Sequence, residues 1–514
     1  MSSSKRQEVR SRNDIRKSRA AEIANTFEGL ITALILAFLV RAFVIEAFRI
    51  PTGSMADTLK GAHFRLRCLQ CGYRYNYGLG NFGVPQDTIP RGSLKPMYTR
   101  CPSCGHYQQT GGTMPIAYGD RILVLKCIYQ FFEPKRWDVI VFKDPLDPTI
   151  NYIKRLVGLP GETMEIIDGD IYISGRIRRK PQKVQNELWM PVYDNDYQPV
   201  RPSEARSFNG HFWQQPFKSV PGSKWTVDEA NPTTFRLDSG AEQINTMIYD
   251  TKIGNDFKAT YAYDDVKRYK PMPYCSDLMV RFYTNRLDAE GLIGIEMSKY
   301  ETRYKAWVNS AGEMVIEAVK GDETIELERK AVKLPAMNKP ILVRFANVDH
   351  RLVFEFGSEK LTYDLEEGPD NAGERKTNIE PKVKIFGSGK LTLSHLAIFR
   401  DIHYTAKDLR TGEFGRATEG NPDEAPFTLN KDEFFVLGDN TTNSLDSRWW
   451  NKPGRGNNGK EYREGIVPRD FLVGKALFVY WPSGFRPFAK FPIAIIPNVG
   501  GMRFIYGGTS KIDN

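Results

Sequence analysis

Hydrophobic and polar positions change rhythm several times along this chain. Residues 27–48, FEGLITALILAFLVRAFVIEAF, carry a nearly unbroken apolar run in which Leu30 to Ile45 hold a single charge, Arg41. Those 16 residues make ~24 Å of helix against a ~30 Å hydrocarbon core. Arg41 can snorkel to the interface while Phe27, Phe43 and Phe48 lengthen the span, so the pattern predicts one membrane helix over 27–48. Beyond it the runs are short and β-like. Val139 to Phe142 and Asn151 to Val157 read as strands, the second stopped by glycine and proline. From LMVRFYTN, near residue 278, to KLTLSHLAIFRDIHY, near residue 390, period-two runs alternate with turn residues, as in an all-β sandwich. Residues 178–250, rich in Pro, Trp and Asn, read as a loop-rich entry to it. The apolar stretch FPIAIIPNVGGMRFIYG is broken by Pro492 and Pro497, which argues against a second span and for a tail resting on the membrane surface.

Composition refines this picture. At 514 residues the chain exceeds one ordinary domain, and 41% hydrophobic with 12% aromatic content argues against general disorder. The 43 Gly and 31 Pro fit a turn-rich, mainly β body. The net charge of +10 is modest, and its clearest concentration is the tail before residue 20, where Lys5, Arg6, Arg10, Arg12, Arg16, Lys17 and Arg19 meet only Glu8 and Asp14. Such a tail followed by an apolar span should stay cytoplasmic by the positive-inside rule, so no nucleic-acid partner is expected. The rest of the chain is then placed on the outer side of the cell membrane. A cleavable leader is disfavoured, because charged and bulky residues follow the run.

Cysteines add a second feature. Cys68, Cys71, Cys101 and Cys104 form two C-x-x-C pairs, each followed by glycine, within RCLQCGYRYN…YTRCPSCGHYQQ. The spacing predicts a zinc-ribbon-like insertion over 66–108 holding a structural zinc; two disulfides remain the alternative in an oxidising compartment. His106 is not needed as a ligand, and Cys127 and Cys275 read as small buried hydrophobes.

The candidate chemistry lies just after the apolar run, in IPTGSMADTL, residues 50–59, where Ser54 occupies a compact polar turn. Only six histidines occur, none in a recognisable Ser-His-Asp setting, so a lysine would have to serve as base. Lys154, in YIKRLVGLPGE, sits on a strand between apolar neighbours. Desolvation there would disfavour the ammonium and leave an amine able to take a serine proton; an ordinary strand lysine on a wet face is the alternative that Lys154 taken alone favours.

IPTGSMADTL, YGDRILVLK, WDVIVFKDP…NYIKRLVGLPGE and VLGDNTTNSLDSR occur in the order of the boxes of the type I signal peptidases. With the preceding anchor, the chain resembles that membrane-bound Ser-Lys endopeptidase family. The resemblance implies Ser54 as nucleophile and Lys154 as general base. It also implies an oxyanion hole from the Ser54 backbone N–H and the Thr52 hydroxyl, with Ser444 hydrogen-bonding and orienting the lysine. Arg155, Asp439, Asp446 and Arg448 match charge-pairing positions that brace the site, and Gly438 with Asp439 suits a tight turn. Ile50, Met55, Leu59, Tyr152 and Ile153 are the candidates for shallow pockets that accept small residues. Gly53 would let substrate pass close. Asp57 stands where the family usually has proline, leaving local geometry to an Asx-type turn.

The expected fold is therefore mainly β: a signal-peptidase-type catalytic core after one N-terminal transmembrane helix, with an inserted zinc-ribbon-like module and an inserted concanavalin- or laminin-G-like β-sandwich. Its units would be a basic tail over 1–26, the helix over 27–48, core over 49–177 and 428–490, the sandwich over 178–427 and a tail over 491–514. The expected activity is removal of signal peptides from exported preproteins, without a catalytic cofactor. Preproteins, the lipid bilayer and the export machinery would be its partners. Two other readings are an autoprotease of the SOS-repressor type and a catalytically idle envelope scaffold binding glycans or proteins. The anchor speaks against the first and the complete residue set against the second.

Overall fold

A computed structural model describes residues 22–508, apart from 80–93, 113–115, 208–209, 229, 267–268, 287–289, 335, 337–338, 367–378, 409–410, 457–458 and 485–495. The basic tail before residue 22 and residues 485–495, including the start of the apolar stretch, lie outside the described residues. The chain is mainly β with one N-terminal apolar helix.

That helix, α1, runs Glu22–Val44 and its apolar window is entirely unburied. Its 23 residues span about 35 Å, enough to cross a bilayer core. It both starts and stops earlier than 27–48, because Ile45–Arg49 is already strand β1 of the sheet that carries the site. At the junction Lys126 pairs with Glu46 at 3.1 Å and donates to the Ala42 carbonyl, tying the helix end to the sheet.

The site sheet is antiparallel. Besides β1 it contains β2 (Arg121–Leu125), β3 (Val139–Lys143), β4 (Asn151–Gly158), β5 (Glu433–Leu437), β6 (Val467–Pro468), β7 (Leu472–Trp481) and β8 (Arg503–Phe504). Their order is β1-β2-β7-β3-β4-β5-β6, with β8 on β7. β-Branched and aromatic residues such as Val139, Ile140, Val141 and Phe142 suit a pleated surface covered on both faces, and all four are buried. A smaller sheet of Thr163–Ile167, Asp170–Ile173, Arg176–Ile177 and Phe427–Thr428 extends this body. The chain after Asn498 is not a free tail. β8 pairs with β7, Ile505 is in the sheet's apolar core, and Arg503 donates to the Thr58 carbonyl below the serine turn.

Between the halves of the site sheet in sequence, two further antiparallel sheets of eight and seven strands face one another across a shared apolar core. Leu278, Val280 and Phe282 reach it from one sheet and Ile293, Ile295 and Met297 from the other. The stretch 178–250 is not merely a loop-rich entry. Met190–Asp194, Phe217–Ser219, Phe235–Asp238 and Asn245–Tyr249 are strands of these two sheets, short enough for the proline-rich connections to hide their alternation.

Candidate active site

Strand β1 delivers the chain from the helix into the turn of residues 50–59, which Asp120 clamps. Ile50 N–H donates to the Asp120 carbonyl at 2.8 Å, and Lys60 N–H donates to its carboxylate at 3.0 Å. Below the turn, Ile50, Met55 and Leu59 join Ile122, Val124, Val139 and Val141 in one core, so the turn rests on an apolar base.

Lys154 projects from β4 to meet it. Its Nζ donates to Ser54 Oγ at 2.8 Å and to the Ile153 carbonyl at 3.1 Å, with Lys154 only 4% exposed. Burial lowers the lysine pKa from 10.5 to about 8, although Asp446, Asp439 and Asp144 pull the other way. Thr52 Oγ1 lies 3.1 Å from Ser54 Oγ and accepts weakly from Ser54 N–H at 3.5 Å. The Thr52 hydroxyl thus lies beside both the hydroxyl and the N–H of Ser54.

The loop after β5 closes the site from the other side. Arg155 and Asp439, both fully buried, form a bidentate pair at 2.8 and 2.7 Å, and Arg448 grips Asp446 at 2.9 and 2.8 Å. Asp446 also accepts from Gly438 N–H at 3.0 Å, and Asn440 N–H donates to the Ser54 carbonyl at 3.0 Å. Gly438 is required by proximity: a Cβ there would lie 2.2 Å from Ser444 Oγ and 2.5 Å from the Ser54 carbonyl oxygen.

Several expected residues stand elsewhere. Ser444 borders the cleft, yet its buried Oγ has no hydrogen-bond partner and does not hold Lys154; it faces Gly438 instead. Tyr152 and Ile153 line the cleft of about 440 Å³ over the dyad. Ile50, Met55 and Leu59 do not, because the turn needs them as its apolar base. Gly53 admits a protein ring rather than substrate, since a Cβ would lie 2.3 Å from Cε1 of Tyr263. Asp57 faces a second cavity of about 270 Å³ with Lys60, Arg100 and Arg400.

Sequence reasoning missed the contribution of the intervening chain. Tyr263 packs on the serine turn, while Asp264 accepts from Asn440 Nδ2 at 2.9 Å and from the Thr442 hydroxyl, bracing the loop. Thr405, Lys407 and Asp408 form a cleft wall opposite Ile150 and Tyr152, with Leu445 and Trp449 beside them. No local motif marks these residues; only the return of the chain from the large sheets brings them here.

A family model described as signal peptidase, peptidase S26, matches residues 104–221 and 389–481, two stretches separated by 222–388 within the larger insertion. Over these stretches the chain is similar to the signal peptidases. The family match contains Lys154, Arg155, Asp439 and Ser444 but starts after Ser54, which joins the site through its contact with Lys154. Signal peptidase I of Rickettsia canadensis (strain McKiel) is 27% identical over 153 residues, 30% of this chain and 44% of that protein. Signal peptidase I of Rickettsia bellii (strain OSU 85-389) is 26% identical over 174 residues, 34% and 46% of the respective chains. The chain thus spans less than half the length of the curated signal peptidases it matches. Among solved structures, a carbohydrate-binding module from Bacillus subtilis aligns with 36% of this chain and 95% of its own at 8% identity and a TM-score of 0.24, a likeness too low to carry argument.

Proposed function

We propose that this chain is a membrane-anchored serine endopeptidase that removes N-terminal signal peptides from exported preproteins, cutting after small residues. The observation that carries the reading is the 2.8 Å contact between Lys154 Nζ and Ser54 Oγ, with the lysine buried and its pKa lowered. In the neutral fraction, the amine takes the Ser54 hydroxyl proton as Oγ attacks the scissile carbonyl. The Ser54 N–H and the Thr52 hydroxyl stabilise the oxyanion. The lysine then returns its proton to the leaving amine, and water, activated by the same lysine, hydrolyses the acyl-enzyme. Arg155, Asp439, Asp446 and Arg448 hold the loop that faces the dyad, and Ser444 is a positioning residue of that loop. Tyr152 and Ile153 remain the candidates for the small-residue pockets.

A single-pass topology with the basic N-terminus in the cytoplasm and the catalytic body on the outer side of the cell membrane is supported by the 23-residue exposed helix running directly into β1. The dyad then lies near the bilayer, where a preprotein still tethered by its own signal helix can reach it. The export machinery and bilayer lipid are its natural neighbours. Residues 49–177 and 428–490 would form the catalytic core, and 178–427 an inserted concanavalin- or laminin-G-like sandwich.

The cysteine knuckles suit a structural zinc. The Cys68–Cys104 and Cys71–Cys101 sulfurs are each 3.6 Å apart, and all four lie within 4.8 Å of one another. A Zn–S distance of ~2.3 Å places tetrahedral sulfurs about 3.8 Å apart, whereas a disulfide needs ~2.05 Å. Zinc bound there would cross-link the ribbon without entering catalysis. One zinc per chain with no disulfide, measured by metal analysis and thiol counting, is the expected result; two disulfides and no metal would overturn it.

For the peptidase reading, the full chain is reconstituted with a preprotein bearing a small-x-small site. Processing is expected for the unmodified chain and is lost in Ser54→Ala. Processing that persists in Ser54→Ala, or is absent from the unmodified chain, overturns the proposal.

A further inference from the structure

A larger cavity lies away from the dyad. A groove of about 860 Å³ separates the segments 134–137 and 177–189 from the outer face of the sheet that contains Leu278–Arg286 and Ile341–Val348. Leu278 and Val280 point into the shared core, so Met279 between them faces outward, where it joins Ala346, Val348 and Trp189 in a small apolar floor. Around this floor stand eight cationic side chains against three carboxylates.

Part of that charge is spoken for: Arg136 pairs with Glu162, Lys180 with Asp349 and Asp401, and Arg351 with Asp364. Lys135, Arg178 and Lys360 are exposed and make no ion pair or side-chain hydrogen bond with any described residue. A concavity with surplus fixed cations raises the local concentration of anions. Lys135 and Arg178 come from one side of the groove and Lys360 from the sheet on the other, so a ligand must reach across the groove to satisfy them.

We propose that this groove binds an anionic glycan strand, its carboxylates or phosphates meeting Lys135, Arg178 and Lys360 while a sugar ring lies on the apolar floor at Trp189. Met279, Ala346 and Val348 lie on inner strands of the sheet, Leu278–Arg286 and Ile341–Val348, whose backbones are paired on both sides, so a ligand on this floor meets side chains rather than a strand edge. The cations are set within a concavity and face inward, which suits a strand better than a flat lipid surface. This site is independent of the peptidase reading, because none of these residues borders the dyad cleft.

The test uses the full chain in neutral detergent micelles with fluorescent oligogalacturonate in one arm and a phosphodiester-linked sugar oligomer in the other. Saturable binding of at least one, weakening as salt rises and reduced at least about tenfold in Arg178→Glu/Lys360→Glu, is expected; a neutral glucan of equal length should not bind. Both substitutions are at exposed positions, and unchanged thermal unfolding together with unchanged preprotein cleavage shows that the variant is folded. Absence of binding in both arms, or equal binding by the double variant, overturns the proposal. Tighter capture at the groove of poly-glutamate or short-chain phosphatidylglycerol overturns the glycan assignment.

Discussion

Lys154→Met replaces the buried amine by an unbranched apolar side chain and should separate stability from activity. In the folded protein Lys154 releases its proton at about 8, against 10.5 for the ordinary side chain. Between those values the unfolded chain binds more protons, so stability rises with pH across the window; below about 8 the full penalty of burying the ammonium is present. A gap of about 2.5 pH units corresponds to an upper bound of ~3 kcal/mol. Losing the hydrogen bond to Ser54 takes back about 1 kcal/mol. The variant should therefore unfold at higher urea at pH 7 by roughly 1–2 kcal/mol, an advantage that disappears as pH passes 10.5. Catalysis should move oppositely. At pH 7 about a tenth of such a lysine is neutral, some 300-fold more than at the ordinary pKa. The unmodified enzyme's kcat/KM should thus climb with unit slope towards pH 8, while Lys154→Met is inactive throughout. Urea unfolding of the full chain in detergent and preprotein cleavage at matched pH check both halves. A stability difference that does not vary with pH, or a flat rate profile from pH 6 to 9, would refute the depressed lysine.

Thr52→Val removes one of the two converging donors and should lower kcat by about 10²–10³ with little change in KM, read from steady-state cleavage. Asp439→Asn leaves the fully buried Arg155 guanidinium without its counter-charge, and denaturant unfolding should show a loss of ~3–5 kcal/mol. Gly438→Ala forces a methyl group against Ser444 Oγ and the Ser54 carbonyl; cleavage should fall by at least about tenfold even where the chain still folds, because a small displacement of the dyad is costly.

The parts of this molecule legible in its sequence are those whose physics is local. Desolvation of Lys154 follows from its apolar neighbours on one strand, and the C-x-x-C pairs carry their own glycine turns at Gly72 and Gly105, both with positive φ. The anchor's apolar run was visible too. Its end was not, because Ile45, Ala47 and Phe48 prolong the apolar run and only pairing with Arg121–Leu125 makes Ile45–Arg49 a strand. The same ambiguity applies to Ile50, Met55 and Leu59, since an apolar residue near a serine reads alike whether it faces substrate or the core beneath, where these three pack.

The larger insertion shows where such reading stops. Its strands announce themselves by alternation, but nothing in that pattern indicates that Tyr263 would press on Gly53 or that Asp264 would hold Asn440 and Thr442. Those contacts join residues 176 or more positions apart, so no local pattern announces them. The insertion is therefore a structural wall of the site rather than an appendage. Lys407 and Asp408, on the chain's return from it, face the same cleft as Ser54. Whatever occupies the basic groove on the outer face of its sheet thus acts on a body that also supports the loop opposite the dyad, which gives the insertion a physical route to influence cleavage without supplying a reacting group.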